Sequence, residues 1–157
     1  MRAFLGAAIA SALVGCSLHG APALTPGVAS EADVEARMGP SSDRLQTKQG
    51  ETVRYYSRLP SGRAVYAARF GADGKLIALE QRLTRENVRK IVVGAWRADD
   101  VRALLGPPYE TLRFPRLRTE LWTYPMRDIM ANIVANIEFG ADGLVREVVF
   151  LDEPASD

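Results

Sequence analysis

Apolar residues along the chain fall into two spacings, one helical and one of period two. Val34 and Met38 lie on one face of a segment that Ser30 can cap and that Gly39-Pro40 must stop. The same order returns after Gly94: Asp99 or Arg97 stands at the cap, Val101, Leu104 and Leu105 form the apolar face, and Gly106-Pro107 ends it. A further helix is predicted over Thr84 to Val93, with Thr84 as cap and Val88, Ile91 and Val92 on one side. After each Gly-Pro stop the period changes. Ile133, Ala135, Ile137 and Phe139 alternate with Asn132, Val134, Asn136 and Glu138, which describes a strand with one buried face. Other strands are expected around Asp43–Thr47, Val53–Arg58, Ala64–Phe70, Leu76–Glu80, Tyr109–Phe114, Thr119–Tyr124 and Val145–Leu151. Asp73-Gly74 and Asp142-Gly143 read as tight hairpin turns.

These patterns occur twice. Gly27, Asp33, Val34, Ala36 and Gly39 have counterparts 67 positions later in Gly94, Asp100, Val101, Ala103 and Gly106. The run Phe70-Gly71-Ala72-Asp73-Gly74 recurs letter for letter as Phe139-Gly140-Ala141-Asp142-Gly143, 69 positions on. Two ordered matches at nearly one spacing point to an internal duplication. The expected fold class is α+β: two tandem helix–helix–antiparallel-sheet units, with helices packed on one face of the sheet.

The N-terminus is of another kind. Met1-Arg2 is a short basic start, and Ala3 to Val14 is almost wholly small and apolar, too short to cross about 30 Å of hydrocarbon but long enough for a secretory signal. It closes on Leu13-Val14-Gly15-Cys16, which resembles the bacterial lipobox, cut just before the Cys. The resemblance implies that Cys16 becomes the acylated first residue, and that Ser17 beside it favours transport to the outer membrane. Several acyl chains on one residue anchor stably, at roughly 0.8 kcal/mol per buried CH₂. The expected organisation is a signal peptide over residues 1–15, a lipidated tether over 16–26, unit one over 27–83, unit two over 84–152 and a tail over 153–157.

Composition narrows the chemistry. Twenty Lys and Arg face 19 Asp and Glu, and 47% of residues are hydrophobic, values that suit a folded domain with no general drive toward nucleic acid. The single Cys is consumed by the lipobox, and the single His, His19, lies in the Gly- and Pro-containing tether. No thiol nucleophile, no Ser–His pair near a core and no multi-histidine metal site is left. A lone Asp in Gly-Ala-Asp-Gly cannot supply the ligand count that calcium needs. The expectation is a protein without enzymatic activity, cofactor or metal.

Two groups of residues remain as candidate contacts. Arg113, Phe114, Arg116 and Arg118 form a basic, aromatic loop between strands, suited to anionic lipid headgroups or an acidic partner. Trp122 and Tyr124, with Tyr55 and Tyr56, lie on strands, either in the core or on a sheet face that meets a protein partner.

The helix that ends Asp100-Val101-Arg102-Ala103-Leu104-Leu105-Gly106-Pro107-Pro108, the strand Leu121-Trp122-Thr123-Tyr124 and the Phe139-to-Asp142-Gly143 hairpin together resemble the SmpA/OmlA (BamE-like) outer-membrane lipoprotein family. In tandem they are similar to the β-lactamase inhibitor protein-like fold, which pairs such units into one wide concave sheet. The first unit is the poorer copy, with Arg54-Tyr55-Tyr56 where the second has Trp122-Thr123-Tyr124. The resemblance implies a lipid-anchored, non-catalytic protein-binding module on the periplasmic face of the outer membrane. Its partners would be the membrane, through the N-terminal lipid, and envelope or outer-membrane proteins such as the barrel-assembly machinery. Its work would be outer-membrane protein assembly and envelope integrity. The alternatives are an inhibitor-like or regulatory module that binds a periplasmic enzyme, and an envelope protein that binds anionic lipid.

Overall fold

A computed structural model describes residues 24–129 and 131–153. Helix α1 (Glu31–Met38) precedes strands β1 (Asp43–Gln46), β2 (Thr52–Ser57), β3 (Val65–Phe70) and β4 (Leu76–Gln81). Helices α2 (Arg85–Val88) and α3 (Ala98–Leu105) follow, and then β5 (Glu110–Phe114), β6 (Thr119–Arg127), β7 (Asn132–Phe139) and β8 (Val145–Asp152). Each set of four strands is a separate antiparallel meander in sequence order.

Local chemistry explains where the helices begin. The Ser30 hydroxyl accepts from the Asp33 N–H at 3.2 Å, while the Asp33 carboxylate takes the Ser30 N–H at 2.8 Å, so two orphan donors are satisfied reciprocally. At α3 the Asp100 carboxylate accepts the Arg97 N–H at 2.8 Å, and the Arg97 side chain reaches the Asp142 carbonyl at the β7–β8 turn instead. Helices α1 and α3 each end at a glycine of positive φ, Gly39 at 77° and Gly106 at 83°.

Bonds that tie chain to sheet recur between the two halves. The Gly27 N–H donates to the Leu76 carbonyl and the Gly94 N–H to the Val145 carbonyl, each at 2.8 Å. Both sheets shift register at the end of their third strand, at Arg69/Phe70 and at Glu138/Phe139. Asp43 pairs with Tyr55 in the first sheet as Glu110 pairs with Thr123 in the second.

Packing stacks these elements in layers. One face of the first sheet (Tyr56, Ala68, Phe70) buries Val34 of α1. The opposite face (Val53, Tyr55, Val65, Ala67) packs with Val101 and Leu105 of α3, which in turn meet Trp122, Tyr124, Ile137 and Phe139 of the second sheet. The order is therefore α1, first sheet, α3, second sheet. Helix α3 is the shared core of both halves.

This overturns the expected fold class. Among the described residues the chain is mostly antiparallel sheet with three short helices of eight, four and eight residues, and it is not a pair of helix–helix–sheet units. Nor do the helices share one face of one wide sheet, because the two sheets are not hydrogen-bonded to each other and α3 lies between them. The physical cause is legible at the helix expected over Thr84 to Val93. Thr84 does cap it, accepting the Asn87 N–H at 3.1 Å. The α-helix then stops at Val88, since the Lys90 and Ile91 N–H groups take carbonyls only three residues back. Val88, Ile91, Val92 and Val93 are β-branched and lose side-chain freedom in a helix. Burial of Val88 and Ile91 and the bond from Gly94 to Val145 hold the segment as a connection. In the first half the Val28 and Ala29 N–H groups both take the Thr25 carbonyl, as the Ala95 and Trp96 N–H groups both take the Val92 carbonyl.

Candidate functional site

The β5–β6 hairpin carries most of the residues singled out for binding. β5 is an edge strand exposed along its whole length. Its turn closes through the Leu117 N–H on the Phe114 carbonyl at 3.0 Å, and Arg118 takes a left-handed φ of 54°. At the base of the hairpin Glu120 serves two donors, the Arg113 guanidinium at 3.0 Å and the Trp122 indole N–H at 2.6 Å. The charge of Arg113 is thus matched within the hairpin. Arg116 and Arg118 have no ion-pair partner among the described residues, and Leu117 stands between them with 71% of its surface exposed. Phe114 is exposed as well and, with Arg113, Arg118, Phe139 and Gly143, lines a shallow hollow at this end of the sheet.

Trp122 and Tyr124 lie elsewhere. Trp122 is 8% exposed and meets the Phe139 ring edge-on, with centroids 4.9 Å apart. Tyr124 is fully buried, and its hydroxyl donates to the Gly106 carbonyl at 3.0 Å. Burial pushes the Tyr124 phenol far above its ordinary pKa, so it stays a donor. Tyr55 and Tyr56 are buried on opposite faces of the first sheet, and burial raises both of their pKa values also. These four aromatic side chains build the core, and the surface at this end of the molecule belongs to Arg113, Phe114, Arg116, Leu117 and Arg118.

The outer face of the second sheet is a surface that periodicity alone did not single out. Leu112, Leu121, Thr123, Val134 and Asn136 share it, as the pairs Leu112 with Leu121 and Thr123 with Asn136 require. Val149 and Leu151 join through their pairs with Asn136 and Val134. Leu112, Leu121, Val134, Val149 and Leu151 belong to neither apolar cluster, although the matching face of the first sheet is covered by α3. The signal in the sequence was the apolar residue at Val134 among the polar alternates of β7.

At the α3–first sheet junction, Arg102 grips Asp43 with two hydrogen bonds, at 2.7 and 2.9 Å. Burial by itself would raise the Asp43 carboxyl. The Arg102 hydrogen bonds, the Arg44 N–H and the guanidinium charge outweigh that and hold it below the usual carboxylate range.

Cys16 and His19 lie outside the described residues. Among the described residues no three acidic, His or Cys side chains come together in a metal-binding group, and no helix is long and apolar enough to cross a membrane.

Comparison with known proteins adds little. No protein-family model matches the chain, and no curated protein matches it. Among solved structures the chain is similar to a DUF4309 family protein (YjgB) from Bacillus subtilis subsp. subtilis str. 168. That likeness is 17% identity over 83% of each chain, with a TM-score of 0.33. At that level it carries no inference about this fold or its use.

Proposed function

We propose that the protein is a lipid-anchored binding module of the bacterial envelope, held at the outer membrane by Cys16 and acting through surface contacts. The observation that carries this reading is the order of the N-terminus: a basic start, an apolar run of signal-peptide length, then Leu13-Val14-Gly15-Cys16. Fourteen residues, 17–30, separate Cys16 from α1, so the folded part works within reach of the bilayer surface. The residues that the fold leaves exposed and unpaired suit recognition: two cations around an apolar tip, and a sheet face with apolar and polar positions mixed. On the resemblance to SmpA/OmlA lipoproteins, the partners are outer-membrane or envelope proteins. Replacing Cys16 by Ala tests the anchor. The expected result is loss of labelling by radioactive palmitate and accumulation of uncleaved precursor, and persistent labelling of the variant overturns it.

A second reading is favoured by the hairpin tip. Arg116, Leu117 and Arg118 present two uncompensated charges on either side of an exposed apolar side chain, which suits an anionic headgroup layer at about 1 kcal/mol per cation. The anchor and the tip would then hold the same bilayer.

A further inference from the structure

The two sheets match in strand order and register, yet among the described residues only the first has both faces covered. On the first sheet α3 lies across Val53, Tyr55, Val65 and Ala67, with the Tyr55 hydroxyl on the Ala103 carbonyl and Arg102 on Asp43 at the edge. The register places Leu121, Thr123, Val134 and Asn136 of the second sheet at those same four positions, and Glu110 at the position of Asp43. Glu110 has no ion-pair partner among the described residues. The Asn136 Oδ1 atom is buried and accepts no hydrogen bond. Leu112, matching Leu45, and Leu151, 51% exposed, extend the apolar part of the surface. An uncompensated acid at the edge marks the place where α3 supplies Arg102 to the first sheet.

We propose that the outer face of the second sheet binds an amphipathic helix of a partner protein, with a basic side chain of that helix set against Glu110. This deepens the reading of the protein as a binding module and rests on it. The occupant is not a second copy of this chain stacked head to tail. In that arrangement α1 would stand where α3 stands, and Glu35, the counterpart of Arg102, would meet Glu110. Like charges at that contact oppose open-ended stacking. An arginine or lysine in the partner removes the conflict, and the helix needs only small residues where it crosses Thr123, as α3 uses Ala103 and Gly106 over Tyr55.

The test uses the purified full-length chain and a side-chain-stapled helical peptide with the sequence of residues 94–108, which carries Arg102. Saturable binding is expected, about tenfold weaker to the Glu110→Arg variant and restored when that variant meets a peptide with Arg102→Glu. Leu121→Asp should abolish binding while circular dichroism shows the fold intact. Binding that ignores both charge reversals overturns the proposal, as does absence of saturable binding. Self-association of the chain that Leu121→Asp removes also overturns it, in favour of a second copy as occupant. Palmitate labelling at Cys16 and crosslinking of the anchored chain to envelope proteins are read separately. If the Glu110→Arg and Leu121→Asp variants still crosslink as the parent does, this face is the wrong surface and the binding-module reading stands. If the parent crosslinks to nothing, that reading fails.

Discussion

The Tyr55 hydroxyl, on the first sheet, donates to the Ala103 carbonyl of helix α3 at 2.7 Å, across 48 residues of chain. Tyr124, from the second sheet, donates to the Gly106 carbonyl at the same helix end. The last carbonyls of a helix lack partners within it. Here one tyrosine from each sheet satisfies one of the carbonyls at this end, and α3 is thereby fixed between the sheets.

Removing either hydroxyl should therefore lower stability. Tyr55→Phe is expected to cost about 1 kcal/mol and Tyr124→Phe about 1–3 kcal/mol, because the buried Gly106 carbonyl would be left without a donor. Urea unfolding followed by circular dichroism measures both, and unchanged midpoints would refute the role of the hydroxyls. The alkaline limb gives an independent check. The folded phenols have raised pKa values, so their contribution is complete below the unfolded tyrosine value, about 10, and is lost as pH rises above it. Tyr124→Phe should flatten that loss.

Gly106 and Gly39 share a positive φ but not a neighbourhood. A Cβ at Gly106 would lie 2.7 Å from the Val65 Cγ1 atom and 2.9 Å from the Tyr55 Cδ1 atom, whereas a Cβ at Gly39 meets nothing within 4 Å. Gly39→Ala should cost about 1 kcal/mol from backbone strain alone. Gly106→Ala should add overpacking of about 1–3 kcal/mol. Equal melting temperatures for the two variants would contradict the close approach of α3 to the first sheet.

Asp43 and Arg102 make an acid-sensitive contact. The folded carboxyl titrates below its unfolded value, so the stabilisation is present above about pH 4 and disappears as pH falls through the folded pKa. Arg102 is half exposed, and Arg102→Ala is expected to cost no more than about 1 kcal/mol at pH 7. That difference should shrink toward zero near pH 2. A constant difference at all pH values would show that packing, not charge, is lost.

The hairpin cations should not contribute equally to membrane binding. Arg113 is already paired with Glu120, and Arg116 and Arg118 are not. Binding to vesicles rich in phosphatidylglycerol should weaken by roughly fivefold for Arg116→Ser or Arg118→Ser, and little for Arg113→Ser. Equal losses at all three positions, or none, would count against headgroup contact by the tip.

Much of the local structure was readable from the residues themselves. The strands fall close to where alternation placed them, with β6 running on to Arg127, and the Ser30 and Thr84 caps and the glycine stops act by short-range chemistry. The helix content was overestimated because the Val88 to Val93 stretch has a helical spacing of apolar residues, while its β-branched side chains and the bond from the next residue, Gly94, to Val145 favour an irregular connection. For the candidate site, the arginines of the hairpin were legible as a basic, aromatic run. Trp122 and Tyr124 were not assignable, because a strand has two faces and the choice between them depends on what packs there.

The sequence by itself determined periodicity, caps, turns and the repeated Phe-Gly-Ala-Asp-Gly hairpin, since each depends on residues within a few positions of one another. Only the tertiary structure decided that α3 serves both sheets, that Glu120 neutralises Arg113, and that no described element covers one face of the second sheet. Those outcomes depend on contacts between residues as far apart as Tyr55 and Ala103, whose formation is governed by the burial of whole faces and not by any local pattern.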